Sequence, residues 1–381
     1  VRQDADFGGV DMRRAESVPQ RFQNHSHHRT LLWTAVLCVA LVGGVVACSD
    51  ESRPPVVVEA PPDPAFVREV VEPSALTRHL EALQAAADAN GGDRADGTGG
   101  FAASAAYVEE QLSAAGYEPR RQEFSYGRRN PVDAFNILAD TDTGSGSDTG
   151  SGSGNVLVLG AHLDSVEDGP GLNDNGSGVA AVLEVALRLA KVGAVPRDRI
   201  RFAFWGGEED GMHGSEHYVE ELSSAEAAAH VAYLNVDVVG SPNAVAYVYD
   251  GDGSDSEEAG PEGSGAVEQV FVDILRGEGV EALPFGFIED SDYDAFVKSG
   301  IPAGGLFTGD AGTKTEAEAL TFGGQAGDQY DECYHQACDT IENVDMAVLE
   351  QMTETLISAT VSLAGIEGGL ATNAPTEQGA G

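Results

Sequence analysis

Five side chains with metal-ligand chemistry lie at the ends of apolar runs or beside glycine-rich turns, in the order His, Asp, Glu, Asp, His. His162 lies within Gly160-Ala161-His162-Leu163-Asp164, and Asp174 precedes Asn175-Gly176-Ser177-Gly178. Glu209 follows Trp205-Gly206-Gly207-Glu208, Asp237 follows Leu234-Asn235-Val236, and His335 lies between Cys333 and Cys338. Two imidazoles and three carboxylates suit two zinc-like ions, each with one His and one terminal carboxylate, bridged by Asp174 at a separation of about 3.5–4 Å. Such a pair makes hydroxide near neutral pH, which is hydrolase chemistry. A proton must then be taken from water and passed to a leaving amine. Glu208, adjacent to Glu209 yet surplus to the ligand count, is the candidate general base and acid. Asp164 is placed to orient the His162 imidazole from behind. Any one of these residues alone would be an ordinary hydrogen-bonded core group; the set and its placement carry the reading.

The elements that must position these residues alternate. Val156 to Leu159, Ile200 to Trp205 and Val231 to Val236 are short apolar strands that stop just before His162, Glu208 and Asp237. Between them lie helical patterns, notably Val179 to Ala190 with Ser177 as the expected N-cap. Upstream, Leu76 to Ala87 and Ala102 to Ala115 have helical periodicity, the second closing at Gly116, with turns expected at 90–92 and 97–100. This order predicts an α/β fold: one globular domain around a central mixed, mostly parallel sheet flanked by helices. Ligands at carboxyl ends of strands are where open sheets place their sites.

The rest of the chain reads as address and connection. Arg13, Arg14, Arg21 and Arg29 precede an uncharged apolar run from Leu31 to Ala47, the pattern of an export signal, although the run is also near the lower limit for a spanning helix. Val45-Val46-Ala47-Cys48 resembles a bacterial lipoprotein signal, which makes Cys48 the expected lipidation site. Residues 48–72, rich in proline, read as a disordered tether, 73–366 as the folded domain, and 367–381 as a disordered tail. Residues 141–154, almost pure Asp, Thr, Gly and Ser, read as a flexible surface insertion. The 63 acidic against 21 basic residues give a formal charge of -42, a field that repels nucleic acid and anionic lipid. Contact with a membrane is therefore expected through the lipid anchor only, from an exported, lipid-anchored or secreted monomer. With Cys38 lost in the signal and Cys48 lipidated, Cys333 and Cys338 remain as a small-loop disulfide or, alternatively, as a metal knuckle with His335.

Taken together, the motifs resemble the M28 family of zinc aminopeptidases, and are especially similar to the secreted Streptomyces-type enzymes. The carrying segments are those around His162, Asp174, Glu209, Asp237 and His335, extended by Ser241-Pro242-Asn243, Gly304-Gly305-Leu306-Phe307-Thr308-Gly309 and Asp339-Thr340. The likeness runs from about residue 74 to 364. It implies a zinc exopeptidase fold in which His162 and Asp237 hold one zinc, Glu209 and His335 the other, and Asp174 bridges. It further implies Glu208 as base, Tyr334 as hydrogen-bond donor to the developing oxyanion, Phe307 in the side-chain pocket, and a Cys333 to Cys338 disulfide. Where close relatives have an Arg before Ser-Asp, this chain has Asp290 before Ser291-Asp292, a carboxylate that faces either the substrate or solvent. The expected activity is hydrolysis of N-terminal residues from peptides with a free N-terminus. The alternatives are another reaction on the same fold, glutaminyl cyclisation or carboxypeptidase action, or a non-catalytic binding ectodomain.

Two other patterns compete for metal chemistry. His213-Gly214-Ser215-Glu216-His217 matches the inverted zincin signature but would leave the larger constellation idle. The acidic stretches 141–154 and 250–258 could hold calcium, yet neither has an ordered ligand spacing.

Overall fold

Runs of branched and aromatic residues buried along almost their whole length make the middle of the sheet. They are β3 (Val156–His162), β4 (Arg199–Trp205) and β5 (His230–Val236). Apolar side chains on both faces of each strand mean that both faces are covered, as parallel strands require. The covering follows the period-two alternation of the strand. Leu157, Leu159 and Ala161 face one core together with Phe202, Leu234 and Val236, while Val156, Val158, Ala203, Trp205 and Tyr233 face a second.

A computed structural model describes residues 56, 69, 73–127, 131–141, 154–256 and 258–365. The export signal, Cys48, nearly all of the tether, the heart of the 141–154 insertion and the tail lie outside them. Five further strands complete an eight-stranded sheet: β1 (Arg120–Tyr126), β2 (Val132–Asp140), β6 (Tyr247–Tyr249), β7 (Leu283–Phe285) and β8 (Ala303–Phe307). The order is β1-β2-β4-β3-β5-β8-β6-β7. The centre, β4-β3-β5-β8, is parallel, with Leu159 opposite Phe202 on one side and Leu234 on the other. β1 and β2 pair antiparallel, and β2 and β6 join the parallel centre antiparallel. The mixed, mostly parallel α/β sheet expected from the sequence is the fold.

Helices α1 (Pro73–Ala89), α2 (Gly99–Ala114), α3 (Gly176–Val192), α6 (Ser264–Gly277) and α9 (Met346–Leu363) supply the first core. Tyr218 of α4 (His213–Glu220) and Phe296 of α7 (Tyr293–Lys298) supply the second; α5 (Ser224–Ala229) and α8 (Glu316–Phe322) have no buried residues. Two local expectations change. Helix α2 begins at Gly99, inside the expected turn, because the Thr98 hydroxyl caps Phe101 N. The start is packed so closely that a Cβ on Gly100 would lie 1.9 Å from Asp93 O. Ser177 is not the N-cap of α3: Asn175 is, accepting from Gly178 N at 2.9 Å, while the Ser177 hydroxyl donates to Asn173 O.

Because β4 lies on one side of β3 and β5 on the other, the chain departs from β3 in opposite directions. The crevice at such a switch point, beyond the carboxyl ends of the strands, is where His162, the Glu208-Glu209 turn and Asp237 emerge.

Candidate metal centre

His162 is the last residue of β3 and is 1% exposed. Its Nε2 is 3.1 Å from Asp174 Oδ1 and 3.2 Å from Asp237 Oδ1. Across the bridge, His335 Nε2 is 3.0 Å from Asp174 Oδ2 and 3.0 Å from Glu209 Oε2. The five residues thus form two half-sites, each with one imidazole and one carboxylate of its own, and Asp174 gives one oxygen to each. These separations approach the roughly 3.3 Å edge of a tetrahedron with bonds of ~2.0–2.1 Å. Glu209 Oε1 and Asp237 Oδ1 are buried with no hydrogen-bond partner, a costly arrangement unless a cation takes up the charge. The residues present fit a zinc pair.

Electrostatics says the same. Burial alone would push the His162 pKa down, but Asp237 and Glu208, helped by hydrogen bonds to Asp164 and Asp174, hold it well above the usual imidazole value. Burial also opposes His335, yet Asp174 and Glu209 raise it to about 10. The carboxylates thus favour the imidazolium form of each ring, and a metal would compete with that proton for the same nitrogen. Glu208, whose Oε2 is 3.9 Å from His162 Nε2, is pushed well above the carboxylate range by burial, with Asp292, Asp237 and Glu209 adding repulsion.

Each half-site is held from behind. Asp164 lies behind the His162 ring. Its backbone carbonyl is 3.2 Å from Nδ1, while its carboxylate, 3.7 Å from Nδ1, accepts from Glu208 N and Glu209 N. One side chain therefore couples the end of β3 to the turn after β4. Asp237 is fixed by a directed chain of donors: Trp205 Nε1 to Tyr233 Oη, Tyr233 Oη to Asn235 Oδ1, Asn235 Nδ2 to Ser291 Oγ, and Ser291 Oγ to Asp237 Oδ2 at 2.6 Å. The loop carrying Asp174 is gripped by Asp339, whose carboxylate accepts from Asn173 N and Asp174 N at 2.8 and 3.0 Å. It is also gripped by Arg94, whose fully buried guanidinium donates to the carbonyls of Leu163, Pro170 and Gly171. The sequence assigned no role to either Asp339 or Arg94.

Cys333 and Cys338 are paired, with Cα atoms 5.2 Å apart, and close the loop that bears Tyr334 and His335. That removes the alternative of a cysteine knuckle, since sulfurs bonded to one another are not thiolate ligands. The Tyr334 ring stacks on the His335 imidazole at 3.9 Å. Together with Phe307 and Asp290 it lines a cleft of about 110 Å³ over the centre. Asp290 is pinned by Tyr293 Oη.

Of the competing patterns, the one at His213 and His217 comes apart, whereas Asp250 and Asp252 of the acidic stretch do converge with Glu268. His213 stacks on Tyr126 at 4.2 Å and His217 on Phe124 at 5.2 Å, so the two imidazoles pack on β1 rather than joining a donor set. In the acidic stretch after β6, Asp250 spends its carboxylate on the backbone N–H groups of Ser254, Asp255 and Ser256. The described residues of the 141–154 stretch do not reach its centre.

Comparison with known proteins agrees with this architecture. The chain is 47% identical over 234 residues to an aminopeptidase of Pseudomonas aeruginosa, covering 61% of this chain and 42% of the relative. It is 45% identical over 221 residues to a probable lipoprotein aminopeptidase of Mycobacterium tuberculosis, covering 57% of this chain and 43% of the relative. It thus spans less than half the length of either protein. Among solved structures, an aminopeptidase from Aneurinibacillus sp. strain AM-1 matches with a TM-score of 0.63 at 16% identity, over 79% of this chain and 96% of that one. A glutaminyl cyclase of Macrostomum lignano matches with 0.63 at 15%, over 85% and 99%. Both likenesses show the fold alone. The model of Peptidase family M28 matches residues 136–360, which hold all five converging side chains and the strands β3, β4 and β5, and the chain belongs to that family.

Proposed function

We propose that the chain is a zinc aminopeptidase that removes the first residue from peptides with a free N-terminus. The observation that carries this is the pair of half-sites sharing Asp174. His162 and Asp237 would hold one zinc ion, His335 and Glu209 the other, and Asp174 both. When bound, the ions supply Lewis-acid polarisation of a carbonyl and a water of lowered pKa. Glu208, beside Glu209 but outside the donor set, would take a proton from the attacking water and return it to the leaving amine. Tyr334, stacked on His335, donates its phenolic hydrogen to the oxygen that gains charge. The carboxylates of Glu208 and Asp237 pair with the substrate α-ammonium, which confines cleavage to the first peptide bond. Phe307 walls the space for the first side chain, with Asp290 at its edge. The zinc pair and the roles of these residues are one reading.

The address belongs to the same proposal. Residues 1–47 direct export, Cys48 carries lipid, and 48–72 hold the 73–366 domain, as a monomer, away from the bacterial envelope. A relative named as a lipoprotein supports this.

The test is hydrolysis of leucine 4-nitroanilide against its N-acetyl derivative by zinc-replete protein, with chelation as control. Cleavage of the free amine only, abolished by chelation, is expected. Cyclisation of an N-terminal glutamine without anilide cleavage would instead assign the fold's other chemistry.

A further inference from the structure

The cleft over the candidate centre has two kinds of wall. One is aromatic: Tyr249, Phe285 and Phe307 line it, with the Phe285 and Phe307 rings 4.8 Å apart. The other is acidic: Asp290 and Asp310 line it, and neither is a member of the half-sites. Each of these carboxylates is anchored through one oxygen, Asp290 Oδ1 by Tyr293 Oη and Asp310 Oδ1 by Gly312 N. The second oxygen of each takes no hydrogen bond from the described residues. No lysine or arginine lines the cleft among the described residues. Lys298 is engaged by Glu289 and Asp294, and Lys314 donates to the carbonyls of Asn243 and Ala244.

Charge bookkeeping then decides what the cleft attracts. Two divalent ions would balance Asp174, Glu208, Glu209 and Asp237 charge for charge. Asp290 and Asp310 remain uncompensated even in the loaded enzyme. In the proposed reaction the substrate α-ammonium goes to Glu208 and Asp237, which leaves Asp290 and Asp310 to attract a further positive charge on the substrate. Aromatic walls and carboxylates together also suit a long methylene stem with a cationic head, through ring-face attraction and charge-assisted hydrogen bonds.

We propose, on the basis of the aminopeptidase reading, that this cleft selects peptides whose first residue is lysine or arginine. Phe285, Phe307 and Tyr249 take the stem, and Asp290 and Asp310 take the ammonium or guanidinium. The experiment compares kcat/KM for lysine, arginine, norleucine and leucine 4-nitroanilides in zinc-loaded wild type, Asp290→Asn and Asp310→Asn. Norleucine has the lysine stem without its charge, so the lysine-to-norleucine ratio isolates the charged contact whatever happens to the absolute rate. The ratio should favour lysine in the wild type, fall about tenfold or more in each variant, and shrink with added salt. A wild type that prefers norleucine, or a ratio unmoved in both variants, overturns the inference while leaving leucine cleavage to stand for the aminopeptidase reading. Failure of all four anilides in zinc-replete protein would overturn both.

Discussion

Arg94 offers the sharpest test of how the centre is built, because it touches no ligand side chain and yet supports two of the segments that carry them. Its guanidinium is fully buried at the root of α2 and donates to Pro170 O at 2.7 Å, to Gly171 O at 2.6 Å and to Leu163 O. Burial lowers its pKa, while Asp164, Asp339, Asp174 and Glu209 raise it, so their charges favour keeping it ionised. Arg94→Met keeps the apolar stem and removes the donors. Hydrogen bonds to a charged group contribute about 1.5–3 kcal/mol each. The sum over three carbonyls is offset by the cost of burying the guanidinium, which leaves a net loss of about 3–5 kcal/mol. At about 2 °C per kcal/mol for a chain of this size, the Tm of the metal-free protein should fall by about 6–10 °C. The loop between Leu163 and Asp174 would also loosen, so zinc affinity should drop by about 10–100-fold, as for other groups that orient ligands. Arg94→Lys, a point charge without the planar fork, should recover only part of both. The assays are thermal unfolding by circular dichroism and competition for zinc with a chromophoric chelator. A Tm within 1 °C of wild type together with unchanged zinc affinity would falsify the claim that this side chain braces the centre.

The other expected outcomes follow from neighbouring parts of the site. Zinc-loaded protein should hold close to two equivalents by elemental analysis; Asp237→Ala and His335→Ala should each lose one, and Asp174→Ala should weaken both, whereas loss of only one in Asp174→Ala argues against a bridge. Glu208→Gln should keep its zinc and its melting temperature while kcat falls by about 10²–10⁴-fold, and wild-type turnover in a zinc-replete variant would remove Glu208 from the proton path. Cys333→Ser with Cys338→Ser should cost about 2 kcal/mol for so short a loop, and should weaken zinc through His335 more than global stability, read by chelator titration beside denaturant unfolding. Cys48→Ser should abolish membrane association and lipid attachment, and a mass spectrum of the wild type with an unmodified mature N-terminus elsewhere would reject the anchor.

The sequence by itself determined the chemistry on offer. Apolar runs ending at His162, Trp205 and Val236 could only be buried strands, and the acids and imidazoles beyond them had to meet where an open α/β sheet has its crevice. What tertiary structure decided is what brings distant residues to one atom. Arg94 reads as a polar residue among glycines until the fold sets it against carbonyls 69 to 77 residues away. Asp339 reads as the end of a cysteine loop until its carboxylate closes on the backbone of Asn173 and Asp174. Asn175 displaced Ser177 as the cap because its amide also reaches Val236 O, tying α3 to β5, and no local pattern records that contact. His213 and His217 carry a metal motif in the right spacing, and packing against Tyr126 and Phe124 disposes of it. The strands β1, β2, β6 and β7 escaped the sequence reading because they are edge or near-edge strands, two of them three residues long, whose apolar pattern is too short or too mixed to stand out, and β8, inside the sheet, because Gly304 and Gly305 interrupt its short apolar run. Periodicity reports which face of an element is buried, and spacing reports which ligands are available. Which oxygen accepts from which donor is set by loops closing over long separations, and only the folded chain holds that information.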